Sequence, residues 1–349
     1  MREQGDATKQ RGRRTWSVAA LMLLFALVGA LVVGLRQPPK LMDRAKLVTS
    51  YRVPAGEMVF EHRWMPDGRI RVLVVPLRSF SRVEEVEPRT GDVVSRRVFN
   101  GVTNACWLSP DGKRLLSLEP GAPAGSISLC RIFSVDEGRQ LTCVKAAIPK
   151  RTPGNQVVGI HILWNPNSRE WMDMSTAGMG TVHRVQGGMT RSVAIRNTGL
   201  MVPLILDSRD RLLVHTFRSS RGGSLGYREI SLSGPSGSRS VPLQLPAGVE
   251  MSHAYLSPDE RRIAWYIRFR EQQPGWLQRL MALVGRRPGA DYKSEAVYVC
   301  DRNGANMRDL GRVVLSGAEG HISALQWTRD GAAVTFFQNK HLYAVDVAR

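Results

Sequence analysis

Cysteine, lysine and long apolar segments are scarce in this sequence of 349 residues. It holds 4 Cys, none in a CxxC pair or at metal-ligand spacing, so the sequence predicts no zinc site. Only 8 of its 49 basic residues are Lys, and beyond Leu35 no stretch approaches the 18 apolar residues that indicate a further membrane helix. An apolar content of 43% nevertheless excludes a mainly disordered chain.

Signatures of nucleotide and metal chemistry are also missing. GxGxxG and GxxxxGK[ST] do not occur between a strand and a helix, and the 7 His form neither HExxH nor HxH, so we predict no cofactor and no metal. His253 and His321 precede the first strands of adjacent repeats, which leaves a metal or catalytic role in a central channel open. The segment 222–226 matches GxSxG at Ser224 but joins two strands, which favours a flexible loop over a nucleophile elbow.

The formal charge of +19 results from 49 basic and 30 acidic residues. Such an excess is typical of nucleic-acid binding when it gathers in one patch or run. Here the Arg residues are scattered along the chain, so we predict no nucleic-acid partner. Arg-rich coding and proximity to an anionic membrane surface both remain as explanations of the charge.

An uncharged segment of 20 residues spans Trp16–Leu35. As a helix it would be about 30 Å long, the thickness of a bilayer's hydrocarbon core. The preceding tail, residues 1–15, carries five basic side chains. We therefore predict a single-pass signal-anchor in the cell membrane, a cytoplasmic N-terminus and a periplasmic or extracellular remainder. The alternative is a cleaved signal peptide ending at Ala30, but the apolar run extends five residues further and favours the anchor.

The remainder of the chain contains six repeats of one hairpin pattern. In each, a large apolar residue stands three places before the turn's Asp or its equivalent, and a β-rich run follows the turn. The turn positions are Asp67-Gly68, Asp111-Gly112, Asn167-Ser168, Arg209-Asp210, Asp259-Glu260 and Asp330-Gly331. Their spacings of 44, 56, 42, 50 and 71 residues each accommodate about four short strands, one propeller blade.

The repeats resemble a known family in two patterns. WxPDG, as in the segment that begins at Trp64, and VYVxDxxGxxxRxL from Val297 are similar to the TolB-type, WD-like propeller repeats. The resemblance covers roughly residues 45–349, with the third and fourth turns degenerate, and implies an all-β, six-bladed propeller over residues 46–349. TolB proteins are soluble and carry an additional α/β domain, so the resemblance implies none of their partners for this chain.

Two structural details follow from the repeat pattern. The sixth blade has only three strands before Arg349, so we expect the alternating segment 46–53 to supply its outer strand and close the ring, after a linker of residues 36–45. Cys130 and Cys143 flank the turn 136–139 symmetrically, which predicts that they lie opposite one another in a hairpin. A cross-strand disulfide and two reduced thiols both fit that arrangement.

The fifth repeat contains an insertion at about residues 270–294. Its apolar positions predict a short basic amphipathic helix over 275–287 that packs as a lid, contacts the membrane or docks a partner. With neighbouring loops it lies on the face opposite the Asp-Gly turns, where we expect a protein or peptide to bind. The candidate binding residues are Arg78, Arg82, Arg218, Arg221, Trp276, Arg279, Leu280, Arg286 and Arg287.

These features predict a membrane-anchored, non-catalytic binding or scaffold module of the cell envelope. The alternative is an envelope-acting lyase or hydrolase with a site in the central channel. Clustered His, Arg and carboxylate groups in the channel would favour the enzyme. An apolar channel would favour the binding module.

Overall fold

The computed structural model describes most of the predicted propeller and a short piece of the segment before it. The described residues are 22–25, 40–76, 79–102, 105–119, 127–147, 160–175, 179–186, 189–194, 200–217, 224–233, 238–243, 249–270, 292–315 and 321–347. The chain divides into two compact units, residues 1–39 and 40–349.

In the first unit, residues 22–25 are helical and their apolar side chains are exposed. The rest of the predicted anchor, residues 16–35, lies outside the described residues. Across the described part of the chain, no helix is both long and apolar enough to cross a membrane.

The second unit is an all-β propeller of six antiparallel, four-stranded blades, as the repeats predict. Blades 1 to 3 consist of β2 (Glu57–Trp64), β3 (Ile70–Pro76), β4 (Arg82–Val86) and β5 (Val93–Val98); β6 (Cys106–Leu108), β7 (Arg114–Leu118), β8 (Ile127–Ser134) and β9 (Gln140–Ala147); and β10 (Ile160–Trp164), β11 (Glu170–Ser175), β12 (Met179–Arg184) and β13 (Met189–Ala194).

Blades 4 to 6 repeat the same arrangement, except that the last blade takes its outer strand from the beginning of the unit. They consist of β14 (Leu200–Leu206), β15 (Arg211–Phe217), β16 (Ser224–Ser231) and β17 (Ser238–Val241); β18 (Val249–Leu256), β19 (Arg262–Arg270), β20 (Tyr292–Asp301) and β21 (Arg308–Val314); and β22 (Ser323–Trp327), β23 (Ala333–Gln338), β24 (His341–Asp346) and β1 (Lys46–Arg52).

Burial decreases from the middle of a blade to its rim, as the composition of the strands requires. β3 and β23 are second strands, covered on both faces by neighbouring blades, and nearly all their residues are buried. They are accordingly mostly apolar and do not alternate, although the buried polar residues Arg71, Thr335 and Gln338 lie among them. The outer strand β5, by contrast, is exposed along its whole length.

The turns between first and second strands confirm the predicted chemistry. Asp67, Asp111, Asp259 and Asp330 each accept a hydrogen bond from the backbone N–H two residues later, at 3.0 to 3.1 Å. The residue after the Asp adopts a positive φ, which Gly supplies without steric cost at Gly68, Gly112 and Gly331. In the other blades Ser168, Asp210 and Glu260 adopt the same conformation, with φ of 57 to 58°.

The ring closes as the alternating segment before the first blade predicts. β1 pairs antiparallel with β24, so the sixth blade contains one strand from each end of the unit. Tyr51 of β1 is buried, and its hydroxyl donates a 2.6 Å hydrogen bond to Glu84 of blade 1. Ser50 Oγ donates to the carbonyl of Thr90 in the same blade. β1 therefore fastens the sixth blade to the first.

The buried side chains form six clusters, each between two adjacent blades. The cluster between blades 6 and 1, for example, joins Tyr51 and Phe337 to Val72 and Val86. A short helix, α1 (Leu41–Arg44), extends the cluster between blades 5 and 6 by burying Leu41. Gly311 of β21 permits this contact, since a Cβ there would lie 2.5 Å from the Leu41 Cα.

The predicted register of the cysteine hairpin is wrong by one residue. Cys130 lies opposite Val144, and Cys143 lies opposite Arg131. The reason is a β-bulge that places the extra residue Leu141 in β9, which symmetric counting from the turn does not reveal. The bulge puts the two thiols on opposite faces of the sheet, with Cys130 buried and Cys143 exposed, and all four cysteines are free.

Candidate ligand-binding cavity

The centre of the ring opens as a cavity on the face that carries the six turns between first and second strands, here called the turn face. The cavity has a volume of about 610 Å³ and is lined by the ends of the first strands and by the turns. Contacts between first strands of neighbouring blades enclose it. A volume of this size is typical of sites that hold a small molecule or a peptide side chain.

Five aromatic side chains ring the cavity. Each precedes its turn by a few residues, on five different blades, so the repeat itself places them around one opening. They are Trp64, Trp107, Trp164, Tyr255 and Trp327. In the fourth blade, Ile205 and Leu206 occupy the corresponding positions. Rigid aromatic rings offer a large apolar contact area at low conformational cost, which is why they dominate binding sites.

Hydrogen bonds between blades hold the indole rings in place. Trp327 Nε1 donates to the carbonyl of Tyr255 at 2.8 Å, and Trp164 Nε1 donates to the carbonyl of Trp107 at 3.4 Å. These acceptors are on the inner edges of first strands, where no further strand pairs with the backbone. The rings thus satisfy open backbone groups at the wall of the cavity.

One charged pair, Glu61 and Arg63 of β2, also lines the cavity. Arg63 donates to the carbonyls of Leu108 and Ser109, and a Glu61 oxygen accepts the Leu108 N–H at 2.6 Å. Burial raises the pKa of Glu61 above its ordinary value, despite the opposing effect of Arg63. Burial also raises the pKa of Tyr255 to about 12, and the charge of Glu61 adds to this shift.

The two histidines that the sequence singles out contact different partners. His253 is exposed on the first strand of blade 5, and its ring stacks on that of Tyr266 with 6.0 Å between the centroids. His321 instead places its Nδ1 2.7 Å from Glu295 Oε1. In the described ranges no three His, Cys, Asp or Glu side chains gather as a metal site. Ser224 begins β16 and pairs with Phe217 of β15, so it lies in a strand and not in the predicted loop, while residues 222–223 lie outside the described residues.

A second depression on the turn face, here called the arginine groove, adjoins the cavity at blades 3 to 5. It has a volume of about 680 Å³ and shares Pro166, Pro258 and Glu260 with the cavity wall. Its charged lining consists of Arg209, Arg211, Arg261, Arg302, Asp259 and Glu260.

Buried ion pairs fix the floor of the arginine groove. Asp207 is fully buried, and its Oδ2 lies 2.8 Å from Arg211 Nε and 2.5 Å from Arg302 Nη2. Burial opposes the charge of Asp207, but the backbone N–H of Arg211 and the guanidinium of Arg302 outweigh it and lower the pKa. Glu229 contacts both arginines as well. The two inner guanidiniums are therefore structural.

Of the predicted binding residues, Arg82 is described, and it differs from the expectation. Its side chain is buried and forms ion pairs with Glu57 and Glu84, the partner of Tyr51. These partners raise the pKa of Arg82 and hold its guanidinium where blades 6 and 1 meet, here called the joint between these blades. The remaining candidates lie outside the described residues and stay predictions; they are Arg78, Arg218, Arg221, Trp276, Arg279, Leu280, Arg286 and Arg287.

The arginine groove is not among the sites that the sequence predicts, and the cavity corresponds only to the central channel of the alternative enzyme hypothesis, since the predicted binding residues are on the opposite face. A signal for the cavity is present, because Trp or Tyr precedes the turn in five of the six repeats. The repeat pattern treats those positions as core. The signal for the groove is the single repeat with Arg209 at the Asp position of the turn.

Comparison with known proteins agrees with the propeller fold. No family model matches the chain, and no curated protein sequence matches it significantly. The structure of U3-55K is similar, with a TM-score of 0.54 and 10% identity over 88% of this chain and 100% of that chain. The β-propeller domain of Myceliophteria thermophila Cps50 (Swd1) gives a TM-score of 0.48 and 12% identity, over 87% and 99% of the two chains.

TolB from Acinetobacter baumannii is also similar, with a TM-score of 0.41 and 13% identity over 71% of this chain and 53% of that chain. Identities at this level show the fold alone. The strand topology defines the class as a six-bladed β-propeller, and the function must be argued from the site itself.

Proposed function

We propose that the protein is a binding module whose cavity on the turn face receives an apolar or aromatic side chain of a protein or peptide partner. The observation that carries this proposal is the ring of five aromatic side chains around a cavity of about 610 Å³. The hydrogen bonds of Trp164 and Trp327 hold rings in place before any ligand arrives. Binding then costs little reordering of these side chains.

A random peptide library displayed on phage tests the proposal, with the full chain immobilised in detergent micelles. We expect enriched peptides to share an aromatic or large aliphatic residue. Their affinity should fall at least about tenfold in Trp107→Ala and Tyr255→Ala, because truncating a central aromatic contact costs about 2 kcal/mol or more. Val94, exposed on the outer strand β5, provides the matched control Val94→Ala. Equal binding to the wild type and both cavity variants would refute the proposal.

The cell-envelope location forms a second part of the proposal. Its support is the uncharged segment Trp16–Leu35 behind a basic tail. We propose that this segment anchors the propeller outside the cytoplasm. Fusing a reporter protease site after Lys40 and treating intact spheroplasts with the protease tests the topology. Cleavage only after lysis would contradict an extracytoplasmic propeller, and extraction by carbonate would contradict the anchor.

The enzyme alternative has one specific observation in its favour, the carboxyl group of Glu61 in the cavity. A carboxyl with a raised pKa in a cavity is suited to act as a general acid. A panel of fluorogenic peptide and glycan substrates tests this alternative. Turnover that Glu61→Gln abolishes would support an enzyme, whereas the absence of turnover with intact peptide binding would support the binding module.

A further inference from the structure

The turn of blade 4 differs from the other turns in a way that changes the charge of the turn face. In blades 1, 2, 5 and 6 an Asp side chain accepts the backbone N–H two residues later. In blade 4 that position is Arg209, and Asp207 takes over the acceptor role two residues earlier. Asp207 Oδ1 accepts the N–H groups of Arg209 and Arg211 at 2.9 and 2.7 Å. The turn is complete without Arg209, whose side chain is thereby released to the arginine groove.

Two guanidiniums of the groove are uncommitted. Arg209 and Arg261 are exposed, and within the described ranges their side chains have no ion pair or hydrogen bond. Arg211 and Arg302, in contrast, are neutralised by Asp207 and Glu229. The groove thus offers two free cations above a rigid, charge-balanced floor.

The carboxylates of the groove are already engaged. Asp259 accepts hydrogen bonds from Ser257 Oγ and the Arg261 N–H at 2.6 and 3.1 Å, and these bonds lower its pKa. Glu260 Oε1 accepts the Ser208 N–H at 2.9 Å and so joins blades 4 and 5. Neither carboxylate is paired with Arg209 or Arg261 at ion-pair distance. An anionic ligand can therefore replace water around these two guanidiniums without breaking a protein ion pair.

The groove and the cavity share a wall at Pro166, Pro258 and Glu260. One ligand that spans them needs an apolar group next to negative charge. A polypeptide segment meets this need when an aromatic or aliphatic residue is flanked by Asp or Glu. We infer that the arginine groove binds the carboxylates of an acidic peptide segment whose apolar anchor occupies the cavity. This inference rests on the proposed function and specifies its ligand class.

Three labelled pentapeptides test the inference on the full chain in detergent micelles. The first has phenylalanine between two pairs of glutamates, the second replaces the glutamates with glutamines, and the third replaces the phenylalanine with glutamine. We expect the first to bind best and to weaken as salt rises, since exposed ion pairs are screened. The double variant Arg209→Glu/Arg261→Glu should weaken it about tenfold or more while changing the neutral peptide less than twofold.

Two further variants keep the test decisive. Arg209→Asp restores the turn residue of blades 1, 2, 5 and 6 and so preserves the fold, and it should reproduce part of the loss. Arg89, exposed in the turn after β4 on the rim of the same face, provides the charge-matched control Arg89→Glu, which should bind like the wild type.

The outcomes separate this inference from the proposed function. Equal binding of the acidic and neutral peptides, with Trp107→Ala weakening both, would overturn the inference about the groove and still support the cavity as a binding site. If the double variant abolished binding of the acidic peptide without phenylalanine, and Trp107→Ala changed the binding of no peptide, the result would support the groove as a binding site and contradict the proposed role of the cavity. Binding to phosphatidylglycerol vesicles that the double variant abolishes, without discrimination among peptides, would assign the groove to lipid and overturn the inference.

Discussion

The fastening of the ring by β1 predicts a large and local sensitivity at Tyr51. This residue is 5% exposed, packs in the cluster between blades 6 and 1, and donates a 2.6 Å hydrogen bond to the carboxylate of Glu84. Removing the hydroxyl or the whole ring therefore tests the joint in two steps.

The magnitudes follow from what each step removes. Tyr51→Phe deletes a hydrogen bond to a charged acceptor, but Glu84 keeps Arg82 at 2.7 Å and Arg96 at 2.8 Å. We therefore expect the free energy of unfolding to fall by about 1–2 kcal/mol. Tyr51→Ala also leaves a cavity in the joint and should cost about 3–5 kcal/mol, by analogy with other buried aromatic truncations.

Urea unfolding followed by circular dichroism measures both costs. Leu47 lies on the same strand but is 56% exposed, so Leu47→Ala should change the free energy of unfolding by no more than about 0.5 kcal/mol. If Tyr51→Ala were as mild as Leu47→Ala, the argument that β1 closes the ring would fail. Deleting residues 46–53 should abolish the cooperative transition altogether.

Three further predictions concern the joint, acid stability and the thiols. Gly91→Ala should destabilise the fold by about 1–3 kcal/mol in the same urea assay, because Gly91 has a φ of +79° and a Cβ would lie 2.6 Å from the Tyr51 N; an unchanged midpoint would refute the close contact. Burial lowers the pKa of His215 from 6.5 to about 4, so between these values the unfolded chain binds a proton that the fold does not. His215 alone should then lower the free energy of unfolding by about 1.4 kcal/mol per pH unit as pH decreases, and His215→Phe should remove that contribution while leaving the contribution of His62, whose pKa burial lowers to about 3. An identical pH profile in the variant would contradict it. Iodoacetamide at pH 8 should alkylate the exposed Cys143 and spare Cys106, Cys130 and Cys300, whose thiols burial shifts to pKa values of about 12, 12 and 11; mass spectrometry showing a Cys130–Cys143 bridge instead would contradict the register.

The sequence predicts the fold well because each blade repeats a short turn pattern that determines its own local structure. An Asp that accepts the backbone N–H two residues on, as Asp67 and Asp330 do, specifies a tight hairpin from four residues alone. Even the degenerate turn at Ser168 adopts the shared conformation, since Asn167 accepts the Arg169 N–H at 2.8 Å as the Asp residues do in other turns.

Features that depend on one extra residue are not predictable in this way. The bulge at Leu141 moves Cys143 to the other face of its sheet, and nothing in the local composition marks it. Arg82 has the composition of a surface cation, yet the tertiary fold buries it against Glu57 and Glu84.

The cavity is not predictable from the sequence for a different reason. Trp64 and Trp327 occupy repeat positions that normally belong to the core, and their rings do contact the core. That they also line an opening depends on six first strands meeting at the axis, which is a property of the closed ring. The sequence pattern of one repeat therefore predicts the strands and their turn but not the cavity that the six repeats form together.

Hydroxyl-radical footprinting of the full chain, with and without a peptide enriched from the library, tests the central claim most directly. The account predicts that the peptide protects Trp64 and Trp107 of the cavity, which are both partly exposed, from oxidation. Met58 and Phe80 are 54% and 45% exposed at the opposite face and should oxidise equally in both samples. Protection of Met58 and Phe80 without protection of the cavity tryptophans would contradict the account.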